Sequence, residues 1–164
     1  MANLWNQQSV PHKGWQLEDV IDVREWGQPE SETDYETCMM CGQPKVRYVH
    51  IVIHKEVAEE FRVGCNCAER MTNDYLNPQK RENELRNKGT RRISWVKKDW
   101  KISKNGNRFL NIDGRHLLIY KDNKSQKYKI KIGERFGRKQ YEDLSTAKIA
   151  IFNNIEYLKE KGEW

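Results

Sequence analysis

The sequence predicts an α+β protein in two parts. The first is a small hairpin-and-helix module gathered around cysteines. The second is an antiparallel sheet of three to four strands with one C-terminal amphipathic helix. Three observations point there. All four cysteines lie between residues 38 and 67. Turn-forming pairs punctuate residues 104–125, and apolar residues recur every three or four positions from Ala147 to Leu158.

The chain has 164 residues, enough for one domain with a core or for two small ones. Charged residues make up 33%, yet six Trp, seven Tyr and four Phe are present, a composition that excludes a disordered chain. No apolar run approaches the roughly 20 residues needed to span a bilayer, so no membrane association is expected. The N-terminus "MANLWNQQSVPHKGW" has no basic stretch followed by an apolar one, so no secretion signal is read there. The expected location is the cytoplasm, where structural disulfides are rare.

Charge divides the chain. Residues 1–40 carry two basic and eight acidic side chains, and residues 81–140 carry nineteen and six. The sequence divides accordingly into an acidic segment (1–35), a cysteine module with a connecting helix (36–90) and a basic sheet-and-helix domain (91–164). The boundary is expected near residues 90–98. A basic block of this size calls for a polyanionic partner, DNA or RNA. The acidic stretch "EDVIDVREWGQPESETDYE", with Trp15 and Trp26, offers an alternative. It is either a contact for a protein partner, acting as a mimic of nucleic acid, or a segment that folds against the chain's own basic surface.

Cys38 and Cys41 form C-x-x-C before Gly42, and Cys65 and Cys67 form C-x-C after Gly64. A C-x-x-C-G turn aims two thiolates at one ion while the glycine takes the unusual φ. Between the pairs, "KVRYVHIVIH" alternates as a strand and "EFRV" reads as a short return strand. "KEVAEEF" tends towards helix, and "AERMTNDYL" after Cys67 starts another. A redox dithiol is the rival reading for a lone C-x-x-C, and four unrelated buried thiols is the bland one. This order of knuckle, hairpin and ligand pair at a helix start resembles the treble-clef and zinc-ribbon class over residues 36–76. The resemblance implies one Zn²⁺ held by Cys38, Cys41, Cys65 and Cys67. Four thiolates leave no position for water, so the ion would be structural.

His50 and His54 lie on one strand face, too far apart to share an ion on a straight strand. Either is an alternative to a cysteine as ligand. "RYVHIVIH" also resembles the HNH-type nucleases, which place a catalytic His on this strand. The further Asn and His or Asn of that pattern are missing, with Asn66 and Asn73 the only substitutes, and no acidic residue adjoins His50 in sequence. Nothing resembles a phosphate-binding loop, a dinucleotide fingerprint or a nucleophile set, so catalytic residues are read as none.

"LNPQKRENELRNKG" reads as a helix with Asn77 as N-cap, Pro78 at its first position and Gly89 as its stop. Beyond it, turn signals at "KNGN", Asp113-Gly114 and "KDNKS" separate "RFLNI", "HLLIY" and "KYKIKI", with "WKIS" a fourth strand. Ser145 is the expected N-cap of a helix whose face is Ala147, Ala150, Ile151, Ile155 and Leu158. One helix covers one sheet face and leaves the other open. In "QKYKIKI", Lys127, Lys129 and Lys131 alternate with Tyr128, Ile130 and Ile132, a comb of ammonium groups suited to a phosphate backbone. The candidate contacts are Arg91, Arg92, Lys97, Lys98, Lys101, Lys104, Arg108, Arg115, Lys127, Lys129 and Lys131. Asn105, Asn107, Arg108 and Asn111 are candidates for reading base edges. No RNA-binding aromatic signature is present in the strands. The expected function is therefore a non-enzymatic, zinc-containing nucleic-acid-binding protein. An exposed sheet edge and several tryptophans leave a homodimer open.

Overall fold

The structure is a computed structural model that describes residues 3–164. It is α+β, with three helices and two antiparallel sheets of three and five strands. The chain divides into two compact units, residues 1–88 and 89–164.

In the first unit, β1 (Gln16–Asp22), β2 (Tyr48–His54) and β3 (Val57–Val63) pair in the order β1-β2-β3. β2 is central, and Tyr48, Val49, His50 and Val52 are all buried. "KEVAEEF" forms no helix. Lys55 and Glu56 make a two-residue turn, and the chain returns as β3 with Val63 opposite His50 and Phe61 opposite Val52. A β-branched residue and an aromatic at alternate positions pack on the sheet better than the segment's weak helix propensity can offset.

The acidic N-terminal segment supplies β1, an integral strand of this unit. Trp15 is 3% exposed, lies 4.7 Å from the Phe61 ring and donates its indole N–H to Pro11 O at 2.8 Å. Asp22 pairs with Arg47 at 2.9 Å, Asp19 with Arg81 at 3.1 Å and Glu36 with Arg62 at 2.7 Å, so several of the acidic groups are matched inside the unit. The core behind the sheet gathers Trp15, Met40, Val52, Phe61, Val63, Ala68 and Met71. α1 (Cys65–Thr72) ends where Asn73 enters the left-handed region at φ 52°.

α2 spans Asn77–Lys97. Its start is supported by Asp74, whose carboxylate accepts the backbone N–H of Leu76 and Asn77 at 3.0 and 2.9 Å, so Asn77 is not the cap expected from the sequence. Gly89 does not stop it. A glycine inside a helix costs only about 1 kcal/mol, and packing beyond it outweighs that. Trp95, on the last turns, is 7% exposed and donates its indole N–H to Lys148 O at 2.8 Å.

In the second unit, β4 (Lys101–Ile102), β5 (Arg108–Ile112), β6 (Arg115–Lys121), β7 (Tyr128–Ile132) and β8 (Arg135–Phe136) follow in sequence order. The sheet thus has five strands, the outer two only two residues long, where three to four were expected. Asp113 and Gly114 both take positive φ (51° and 75°), the primed turn that joins two twisted strands directly. α3 (Leu144–Glu160) lies on one face. Ala147, Ile151, Phe152 and Ile155 pack on Leu117, Ile119 and Ile130, with Trp95 and Trp100.

The cap of α3 is Asp143, not Ser145. Its carboxylate accepts Thr146 N–H at 2.7 Å and the Thr146 hydroxyl at 2.8 Å. Those bonds hold the Asp143 carboxyl below its usual 3.8. A depressed carboxyl stabilises the fold above its unfolded pKa, and that support is lost as pH falls through the folded value. Asp143→Ala should cost about 1 kcal/mol by urea unfolding at pH 7, with the difference from wild type shrinking below about pH 4. Ser145→Ala should stay within about 0.5 kcal/mol. Trp15→Ala should cost about 3–5 kcal/mol in the same measurement, because it empties the centre of the first core.

Candidate metal centre and basic sheet face

The knuckle is set by a tight turn. Gly42, at φ 80°, donates its N–H to Cys38 O at 2.9 Å, and Cys38 N–H reaches Gln43 O at 2.9 Å. Met39 ties it to the edge of β3, donating to Arg62 O at 3.0 Å. The thiols of Cys38, Cys41 and Cys67 then lie within 4.8 Å of one another, a group that can hold a metal ion. Amide and indole donors point at the sulfurs. Gly64 N–H approaches Cys38 Sγ at 3.5 Å, and Trp5 Nε1 approaches Cys67 Sγ at 3.3 Å. The Cys67 thiol donates to Cys38, and with backbone N–H groups this lowers the Cys38 pKa against the opposing effect of burial. Cys67 is raised by the same sharing and by burial. The thiols line a cleft of about 590 Å³ whose walls include Trp5, Lys45, Arg47, Arg70 and Arg86.

Cys65 does not join them. Cys65 and Cys67 are the first and third residues of α1. Residues two apart on a helix are rotated about 200° and do not face each other. The Cys65 thiol instead donates to Glu69 Oε1 at 3.3 Å and lies in a second group with His50 and Glu82. Burial pushes its pKa up to about 12, helped by the hydrogen bond to Glu69 and the negative charges of Glu82 and Glu69. The four-thiolate set expected from sequence is therefore three thiols and one set apart. Among the described residues no further Cys, His, Asp or Glu completes the three.

Neither histidine replaces Cys65. His50 is fully buried, with Nδ1 3.1 Å from Tyr48 O and Nε2 3.2 Å from Pro78 O. Both ring nitrogens thus lie against carbonyls, away from solvent, which is no place for the general base of an HNH-type site. An acidic residue does adjoin it, Glu82 from α2, which sequence separation had hidden. His54 Nε2 lies 3.1 Å from Lys13 O, and its ring packs 5.2 Å from Trp15.

The basic candidates of the second unit separate between faces. Lys101, Lys129 and Lys131 fall on the face opposite Leu117, Ile119 and Ile130. Lys127, beside them, is paired with Glu142 at 2.9 Å. The others are dispersed. Arg91 pairs with Glu156 at 3.1 Å, Arg92 lies over Phe152 and Lys98 over Trp95. Arg115 donates to Glu163 O and stacks on Trp164. Arg108 is opposite Ile119, on the helix side. Lys97 ends α2, and Lys104 is exposed in the turn after β4. The eleven candidates are thus not one surface.

Sequence reading missed the aromatics that share the open face. Phe109 is opposite Leu118, Tyr120 opposite Lys129, and Phe136 opposite Lys131. Each stands alone in its own strand, so no local motif shows. For Tyr120 the signal was its parity against Leu117 and Ile119 of the same strand, whereas β5 and β8 hold no buried residue that could have placed Phe109 and Phe136. No family model, curated protein or solved structure matches the chain. No helix among the described residues is long and apolar enough to cross a membrane.

A thiol with a pKa near 12 is almost wholly protonated at pH 9, and the thiolate is the reactive form. Iodoacetamide capture at Cys65 at pH 9, followed by peptide mass spectrometry, should run at least about tenfold slower than for free cysteine. Glu69→Gln should speed it.

Proposed function

We propose that the protein is a non-enzymatic nucleic-acid-binding protein, with a structural Zn²⁺ in the first unit and a phosphate-contacting sheet face in the second. The observation that carries this is the division of charge. Residues 89–164 hold nineteen Lys and Arg against nine Asp and Glu, net +10, while residues 1–88 hold eleven against fifteen, net −4. The open sheet face puts Lys101, Lys129 and Lys131 where no helix of that unit covers them. Phosphate contacts of this kind supply affinity and a steep dependence on salt.

The thiol set supports zinc. Three sulfurs within 4.8 Å are soft donors of the type that select Zn²⁺, and N–H groups directed at two of them stabilise the thiolate form. Zinc takes four ligands in a structural site. Cys38, Cys41 and Cys67 supply three, so the structural role rests on the ion's joining two chain segments and not on a closed four-thiolate shell. The ion would join the knuckle (38–42) to the start of α1, two segments that also meet in the first core through Met40, Ala68 and Met71, so its binding energy adds to folding.

The acidic segment is better explained by self-packing than by a docking role. It provides β1, and Asp19, Asp22 and Glu36 are already paired. Catalysis has no support at Cys65, whose thiol is held protonated, or at His50, which is sealed from solvent.

Purified protein should carry one zinc per chain by plasma emission. Cys38→Ser, Cys41→Ser and Cys67→Ser should each lose it and melt at lower temperature, whereas Cys65→Ser should keep it. Retention of full zinc by Cys41→Ser overturns the site. Binding to nucleic acid should fall steeply between 50 and 200 mM salt. The Lys101→Gln/Lys129→Gln/Lys131→Gln triple variant should lower the slope of log K against log salt by about 2–3. Absence of binding to DNA and RNA at 50 mM salt defeats the functional reading.

A further inference from the structure

The open face of the second sheet is more than a row of lysines. Strand register places Lys101 of β4, Phe109 of β5, Leu118 of β6, Lys131 of β7 and Phe136 of β8 directly opposite one another in turn. That is one unbroken row across all five strands, about 19 Å long at about 4.8 Å per strand. Rows on either side add Asn111 with His116, and Tyr120 with Lys129. The same strands send Leu117, Ile119 and Ile130 to the opposite face under α3, so every residue named here is turned away from the core.

Two features of this face do not fit a surface made only to stay soluble. Phe136 is 63% exposed, and Phe109 and Tyr120 are half-buried, so hydrophobic rings stand on the surface among ammonium groups. Lys131 Nζ sits 4.7 Å from the Phe136 ring centroid, and Tyr120 and Phe136 meet edge to face at 6.3 Å. Between them is a hollow of about 550 Å³. Leu118 and Tyr120 contribute to its walls with Phe136 and Lys131, and the amides of Asn105 and Asn107 line it as well.

Duplex phosphates need cations alone. Exposed rings interleaved with cations suit a different ligand, one with free base faces. In a duplex the faces are stacked on one another, whereas in a single strand each is available to a ring. Asparagine amides carry both a donor and an acceptor, the groups that read base edges. A hollow of this size admits one base.

We propose that this face binds single-stranded nucleic acid. A base stacks on Phe136 or Tyr120 and enters the hollow beside Asn105 and Asn107, while Lys101, Lys129 and Lys131 hold the adjoining phosphates. This rests on the nucleic-acid reading above and narrows it to unpaired strands. The negative partner matches the net +10 of the unit.

The test is a fluorescence-anisotropy titration of the full-length protein. The probes are a labelled twelve-nucleotide single-stranded DNA, its RNA counterpart and the matching DNA duplex, at 50 and 200 mM salt. Single strands should bind more tightly than duplex, and the DNA and RNA arms show whether the 2′-hydroxyl matters. Phe136→Ala, at an exposed edge position that the fold does not need, should weaken single-strand binding about 5- to 150-fold. It should leave the salt slope unchanged. Phe136→Trp should restore binding, since any ring keeps the stack. Lys131→Gln should instead lower the slope by about 0.7. Tighter binding to duplex than to single strands, or single-strand binding unchanged in Phe136→Ala, overturns the inference while the broader nucleic-acid reading stands. Binding to none of the three probes at 50 mM salt removes both.

Discussion

An α-helix turns about 100° per residue, and the candidate chemistry of the first unit depends on that fact. Because α1 begins at Cys65, the two thiols of C-x-C leave the helix on nearly opposite sides. Cys67 turns to the knuckle and completes a three-thiol group with Cys38 and Cys41. Cys65 turns to the carboxylates of α1 and α2, where burial and negative charge keep it protonated. One pair of cysteines thus serves two environments. The knuckle can approach α1 at all because Met39 is hydrogen-bonded to the edge of β3, so the sheet positions the site.

The sheet in turn relies on the N-terminal segment. β2 is the central strand, paired with β3 on one side, and β1 provides the second neighbour. Trp15, Leu4 and Trp5 then close over the same core that contains Cys38 and Cys67. Trp5 brings its indole N–H to the Cys67 sulfur, so residues some sixty positions away tune a candidate ligand. The arginine and carboxylate pairs around this unit are partly exposed and contribute modestly each, but they match the negative charge of the segment locally.

The second unit is governed by a different period. Strand residues alternate between faces, so one face of its sheet becomes core and the other is free to carry function. Leu117, Ile119 and Ile130 are committed to α3. Phe109, Leu118, Tyr120, Lys129, Lys131 and Phe136 are the residues left over, and they make a continuous surface only because five strands stand in register.

Much of this was legible in the chain itself. The α+β class, the β2 strand, the turns of the second sheet and the amphipathic α3 follow from hydrophobic period and turn chemistry, which are local properties. So does the nearness of Cys38 and Cys41, which a short turn enforces. Tertiary structure decided the rest. Gly89 was overruled as a helix stop because Trp95 has a core to enter, and Asp143 outcompeted Ser145 as a cap because the chain enters α3 two residues earlier. Cys65 left the metal group because helix phase depends on where α1 starts, and His50 gained Glu82 only when α2 packed against β2. The aromatic row became visible only with the register, since its members are distributed over separate strands and no short stretch of sequence holds two of them.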